Sequence, residues 1–203
     1  KNVIANGLVL DKTGNKMSKR LGNAVDPFKT IEEHGPDATR WYMISNANPW
    51  DNLKFNPDGI VEAKRKFFGT LHNTYSFFAL YANLDSFDYS KGDIALENRT
   101  ESDRWVLSKL NTLIKKVDAA FDEYEPTRAT RLIQDFAIND LSNWYVRLNR
   151  KRFWRGEYNQ DKRSAYKTLY TCLVNIAKLS APVAPFYMDK LFQDLNSITK
   201  LEQ

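Results

Sequence analysis

From Gly59 onward the apolar residues recur at the spacing of an α-helix, and that rhythm limits the possible folds more than any other feature. Val61 is followed by Phe67, Phe68, Leu71, Tyr75 and Phe78, the last five one, three or four apart, which predicts a helix from Gly59 to about Asn83. A second begins near Ser102 and carries Val106, Leu107, Leu110, Leu113, Ile114, Val117 and Phe121 on its apolar side. Glu125-Pro126 breaks it, and Thr127 is placed to cap a third helix running through Trp144 and on toward Trp154. A fourth spans roughly 161–179, until Pro182 and Pro185 bend the chain, and a short one passes through Leu195. Residues 85–101 are polar and irregular, a connector. Helices joined this way form an up-and-down bundle.

The first part of the chain reads differently. Lys1 to Leu10 starts mid-pattern, as a strand pair cut from something larger, with mixed β character from Val3, and Asp11-Lys12-Thr13-Gly14 makes a turn. Asp26 and Pro27 supply an N-cap and a first helical residue for a helix ending at Gly35. Pro36-Asp37 opens another through Ile44, with Asp37 and Arg40 spaced to pair across one turn. The expected fold class is mainly α: a small α+β tail over residues 1–57, then a helical bundle over 58–203.

Twelve Phe, ten Tyr and five Trp in 203 residues supply a substantial core and exclude a disordered chain. No apolar run approaches the roughly 20 residues of a membrane span. The lone Cys172 has no disulfide partner, and His34 and His72 are too far apart for a zinc pattern, so no metal site is expected and a reducing cytoplasm is the default. The net charge of +5 is compatible with a polyanionic partner without requiring one.

Two stretches carry chemistry. Lys16 and Lys19 sit on a polar loop with Ser18 and Arg20, between Gly14 and Gly22. Lysine charges on flexible stems can follow a phosphate whose charge moves as a bond breaks, and backbone amides of a glycine-bounded turn add donors. The order of residues is not that of a Walker-type phosphate loop. Taken alone, such lysines are equally a solvated surface. The second stretch is Arg147 to Arg155, where five of nine residues are basic and none acidic. Ile133, Ala137, Leu141, Trp144 and Leu148 form one apolar stripe that gives way to Lys151, Arg152 and Arg155, so the helix is expected to leave the bundle there. Cations beside Phe153 and Trp154 suit RNA, although a solvated face or pairing with distant acids fits the same residues.

The string Lys16-Met17-Ser18-Lys19-Arg20-Leu21-Gly22-Asn23-Ala24-Val25-Asp26-Pro27 closely resembles the signature loop of class I aminoacyl-tRNA synthetases, written KMSKS. It departs from it at Arg20, a residue that isoleucyl members often carry. His34 to Met43 resembles the Gly-x-Asp-Ala-x-Arg helix of the valyl, leucyl and isoleucyl group, and Trp41 to Asn46 with Trp50 to Phe55 looks like the isoleucyl branch. Ser142 to Tyr145 with the following arginines resembles a helix of that group's anticodon-binding domain. Asp103 to Leu110 resembles the same domain's opening helix and Leu179 to Phe186 its closing corner.

The resemblance implies that residues 1–57 end a Rossmann-type catalytic domain and that 58–203 bind tRNA. It implies that Lys16, Met17, Ser18, Lys19 and Arg20 meet ATP, with Lys16 and Lys19 as catalytic cations on the departing phosphates and Met17 packing the loop. It implies tRNA contacts from Trp105, Trp144, Arg147, Arg150, Lys151, Arg152, Trp154 and Arg155. Isoleucine, ATP with Mg2+ and tRNA(Ile) are then the expected partners of a monomeric cytoplasmic enzyme. No His-x-Gly-His motif occurs in this chain, so by itself it is expected to be inactive, with residues 1–30 poorly ordered. Valyl or leucyl relatives, a stand-alone helical RNA-binding module, and a scaffold docking through helix 59–83 are the other readings.

Overall fold

The computed structural model describes residues 3–92 and 94–199, with side chains up to Ser197. A two-residue strand, β1 (Val9–Leu10), precedes helices α1 (Pro27–His34) and α2 (Pro36–Asn46) and strand β2 (Leu53–Lys54). Then come α3 (Pro57–Ala63) and α4 (Gly69–Leu84), joined by a π-helical turn over Lys64–Phe68 into one rod. Helices α5 (Glu101–Asp122), α6 (Pro126–Asp135), α7 (Arg147–Trp154), α8 (Gln160–Ser180) and α9 (Pro185–Thr199) complete the bundle. The fold is mainly α, as the periodicity requires.

Local chemistry explains the boundaries. Asp26 and Asn56 accept hydrogen bonds from the first free amides of α1 and α3, each followed by a proline at the first helical position. Thr100 and Asp103 form a reciprocal capping box at the start of α5. Val183 and Ala184 both donate to the Ser180 carbonyl, turning the chain between Pro182 and Pro185 into α9, which is far longer than the short helix expected.

Several expectations fail for one shared reason: distant partners override local ones. The strand pair expected over residues 1–10 is not formed among residues 3–10, and residues 1 and 2 lie outside the described residues. Instead β1 lies parallel to β2, with Leu53 and Phe55 amides donating to the Leu8 and Leu10 carbonyls. Thr127 does not cap α6, because its hydroxyl donates to the Ile44 and Ala47 carbonyls at the end of α2. Asp37 and Arg40 do not pair. The Asp37 carboxylate accepts the Tyr187 amide at 2.6 Å, while Arg40 donates to the Val183 and Pro182 carbonyls at 2.8 and 3.1 Å.

These bonds bolt α2 to the α8–α9 corner and to α6, and the core runs straight through the junction. Trp41, fully buried, stacks on Phe67 with ring centroids 4.0 Å apart and donates its indole N–H to Gln134. The boundary at 57/58 therefore falls inside one apolar core that extends from Ala38 to Leu195. Truncating such a buried aromatic costs about 3–5 kcal/mol.

The apolar stripe of the third helix also differs from the expected one. Helices α6 and α7 are one rod joined by a π-helical stretch over Phe136–Val146. Ala129, Ile133, Ala137, Leu141, Tyr145, Asn149 and Phe153 are all buried, one every fourth residue. Over that span pure α-geometry would carry the stripe about 240° around the axis. The wider π turns counter this drift and keep the stripe on the core. Trp144 and Leu148 are thereby turned out, at 56% and 61% exposure, and the rod stays packed as far as Phe153 instead of leaving the bundle.

Candidate functional site

The lysine loop is strapped by its own polar residues. Asp11 Oδ1 accepts the Thr13 and Asn15 amides and the Thr13 hydroxyl, while Oδ2 accepts Asn23 Nδ2 at 2.8 Å. Hydrogen bonding from Thr13, then Asn15 and Asn23, holds this carboxyl well below the usual carboxylate range. Asn23 in turn accepts the Ser18 amide at 2.8 Å and donates to the Lys16 carbonyl at 3.3 Å, so one side chain fastens the backbone on both sides of Met17. Lys19–Leu21 form a 3₁₀ turn closed by Gly22 in the left-handed region, at φ 67°, where a side chain would be strained.

Lys16, Lys19 and Arg20 project into solvent from this strap, and none pairs with a carboxylate among the described residues. Met17 points the other way. With Val25, Ile31, Met43, Phe55 and Phe186 it lines an apolar hollow of about 570 Å³ between the loop, α1, α2 and the start of α9. The packing role expected for Met17 matches that position. Three unpaired cations on a pre-shaped turn are equipped to receive an anion of several charges.

The second cluster lies at the far end of the α6–α7 rod. Trp105 of α5 and Trp144 face each other with centroids 5.3 Å apart, tilted by 38°. Lys109 lies 5.8 Å from the Trp105 ring and 3.4 Å from Asp140. Arg147 and Lys151 are exposed one turn apart beside Trp144 and Leu148, a cationic and apolar strip on one side of α7. Arg150 is exposed over the Phe77 ring at 5.9 Å, and Arg155 over the half-exposed Trp154 at 4.9 Å. Seven of the eight expected RNA contacts are thus on or near the surface.

Arg152 is the exception. Its side chain is only 14% exposed and its guanidinium binds Asp103, itself fully buried, through Nη1–Oδ1 and Nη2–Oδ2 bonds of 2.8 Å each. Asp161 accepts from Nε and Nη2 at 3.1 and 2.8 Å, and Asn149 from Nη1 at 3.0 Å. Burial pushes Asp103 toward its neutral form, yet the hydrogen bonds from Arg152 and Tyr145 outweigh it and keep the carboxyl below its ordinary value. The Tyr145 hydroxyl donates to Asp103 at 2.6 Å, and the Ser164 hydroxyl donates to the same carboxylate at 3.0 Å. Sequence reasoning missed Asp103, Tyr145, Asp161 and Ser164 as a group. The local signal that could have found Asp103 is the Thr100-x-x-Asp103 capping pattern, which says nothing of Arg152. Asp11 and Asn23 were missed likewise; their sole signal was a turn-forming Asp and an Asn beside Gly22.

Residues 1–56 match the family described as "tRNA synthetases class I (I, L, M and V)", and residues 103–203 match the "Anticodon-binding domain of tRNA ligase". The chain is 72% identical to isoleucine–tRNA ligase of Cytophaga hutchinsonii over 98% of its own length and 18% of that protein. It is 68% identical to the Bacteroides fragilis isoleucine–tRNA ligase, over 98% of the chain and 17% of the relative. This chain belongs to the isoleucine–tRNA ligase family. It spans under one fifth of these relatives' length. Among solved structures, methionyl-tRNA synthetase of Mycobacterium tuberculosis, in complex with methionyl-adenylate, superposes with a TM-score of 0.76 at 25% identity, covering 93% of this chain and 37% of that one. Within the ligase family's two matched regions, the lysine loop falls in the first and the Trp105–Trp144 and α7 cluster in the second.

Proposed function

We propose that the full-length protein activates isoleucine with ATP and transfers it to tRNA(Ile), and that this segment supplies the loop that grips the departing phosphates and a face that binds tRNA. The observation carrying the reading is the strapped display of Lys16 and Lys19, exposed and without a carboxylate partner among the described residues, in a chain so close to isoleucine–tRNA ligases. In adenylation the amino-acid carboxylate attacks the α-phosphorus of ATP, the bond to the bridging oxygen breaks, and pyrophosphate leaves with the electron pair. Lys16 and Lys19 would hold the β- and γ-phosphates, Lys19 most tightly as charge builds on the leaving group. Ser18 and Arg20 would steady the nucleotide, and the phosphates would bring Mg2+ with them. Residues 1–57 act as the end of the catalytic unit and 58–203 as the tRNA-binding unit, despite their shared core.

On the tRNA side, Arg147, Arg150, Lys151 and Arg155 would meet phosphate, while Trp105, Trp144 and Trp154 would pack on unpaired bases. No helix among the described residues is long and apolar enough to cross a membrane; a monomer acting in the cytoplasm is the arrangement proposed. The decisive experiment is isoleucine-dependent ATP–pyrophosphate exchange. In the full-length protein, Lys19→Ala should cut exchange about 10²–10³-fold, and the 203-residue chain alone should give only background. Undiminished exchange in the variant would remove the loop from the reaction, and turnover by the chain alone would refute its need for the rest of the catalytic unit.

A further inference from the structure

We propose that Arg152 and Asp103 are positioning residues that fix the rotation of the tRNA-binding helix, and that Arg152 touches no RNA; this rests on the reading of α7 as an RNA-binding face. Each of the three guanidinium nitrogens is already committed: Nε to Asp161, Nη1 to Asp103 and Asn149, and Nη2 to Asp103 and to both the side chain and carbonyl of Asp161. A phosphate could reach Arg152 only by displacing Asp103, which is buried and would be left without its countercharge, or the half-exposed Asp161, which already fills the outward donors Nε and Nη2. Two carboxylates around one guanidinium also leave a local surplus of negative charge, a poor place for a second anion.

The same bonds say what the arginine does. Asp103 lies in the first turn of α5 and Asp161 in the first turn of α8, so Arg152 ties the last turn of α7 to two helix N-termini at once. Asn149, one turn earlier, accepts from both Arg152 and the Ser102 hydroxyl. With the core side of α7 locked in this way, Arg147 and Lys151 can only point outward beside Trp144. Arg152, expected by sequence to contact RNA together with its basic neighbours, is the one that aims the others.

The test is the salt dependence of tRNA binding by the full-length protein, comparing Arg147→Gln, Arg152→Gln, Asp103→Asn and the double variant Asp103→Asn/Arg152→Gln. Loss of one phosphate contact reduces the slope of log affinity against log salt by about 0.7–0.9. Arg147→Gln should show that loss, and adding Asp103→Asn should not rescue it. Arg152→Gln should weaken binding several-fold with the slope kept, and the double variant, a neutral hydrogen-bonding pair in the same space, should recover most of the affinity. Should Arg152→Gln prove too unstable to assay, the double variant decides alone: near-native affinity and slope support positioning. A slope reduced by one contact and no recovery in the double variant would make Arg152 a phosphate ligand and overturn the proposal. If the unaltered protein shows no salt-sensitive tRNA binding, the RNA reading itself fails and takes this inference with it.

Discussion

In the lysine loop, the hydrogen bonds that shape the turn span twelve residues or fewer, whereas in the basic helix the bonds that orient Arg152 reach back 49 residues to Asp103. The loop therefore holds its cations through local polar chemistry, with Asp11 and Asn23 doing what a core does elsewhere. The helix holds its cations through burial: Tyr145, Asn149 and Phe153 are locked inside, and their neighbours are left to face water. A site built locally can be moved or reshaped without disturbing the bundle. One built from the core cannot.

The largest effect that would sharpen this contrast comes from Asp103→Ala. It leaves Arg152 without its buried countercharge and should destabilise the bundle by about 3–5 kcal/mol in chemical denaturation, as breaking a buried ion pair does. Because Asp103 ionises at lower pH in the fold than when unfolded, it stabilises the protein above the ordinary carboxylate pKa. That contribution fades as pH falls toward the lowered value, so Asp103→Asn should flatten the acid limb of the stability curve. Lys19→Ala should do the opposite kind of damage, a 10²–10³-fold fall in pyrophosphate exchange with an unchanged unfolding midpoint. Tyr145→Phe, removing one hydrogen bond to a buried carboxylate, should cost roughly 1.5–3 kcal/mol. The smallest effect belongs to Asn23→Ala, which should speed hydrogen exchange at the Ser18 amide several-fold while amides of α8 stay protected. If Asn23→Ala instead lowered global stability, the loop would be part of the cooperative core and the contrast would break.

The same division explains what could be read in advance. The helices of the bundle, the caps at Asp26 and the break at Pro126 follow from spacing within a turn or two, and the structure has them. The display of Lys16 and Lys19 was legible because a glycine-bounded polar loop leaves lysines nowhere to hide. What failed needed partners far along the chain. Arg40 meets carbonyls more than 140 residues away, Thr127 meets α2, and Arg152 meets Asp103. The stripe error at Trp144 and Leu148 has another source: a fixed 100° step cannot follow a rod that changes its winding. Exposed indole next to cations turned out to be a consequence of that change.

The π-wound stretch sits between the contacts of α6 with α2 and the outward cations of α7, on a rod about 40 Å long. It behaves as a vernier: small changes in its winding set the azimuth of everything beyond it. Insertion or loss of a single residue there would swing Arg147 and Lys151 by about 100° toward the core. The connector at 85–99, by contrast, could gain or shed residues at its exposed turns with little consequence, so length variation among natural relatives should be found in one and shunned in the other.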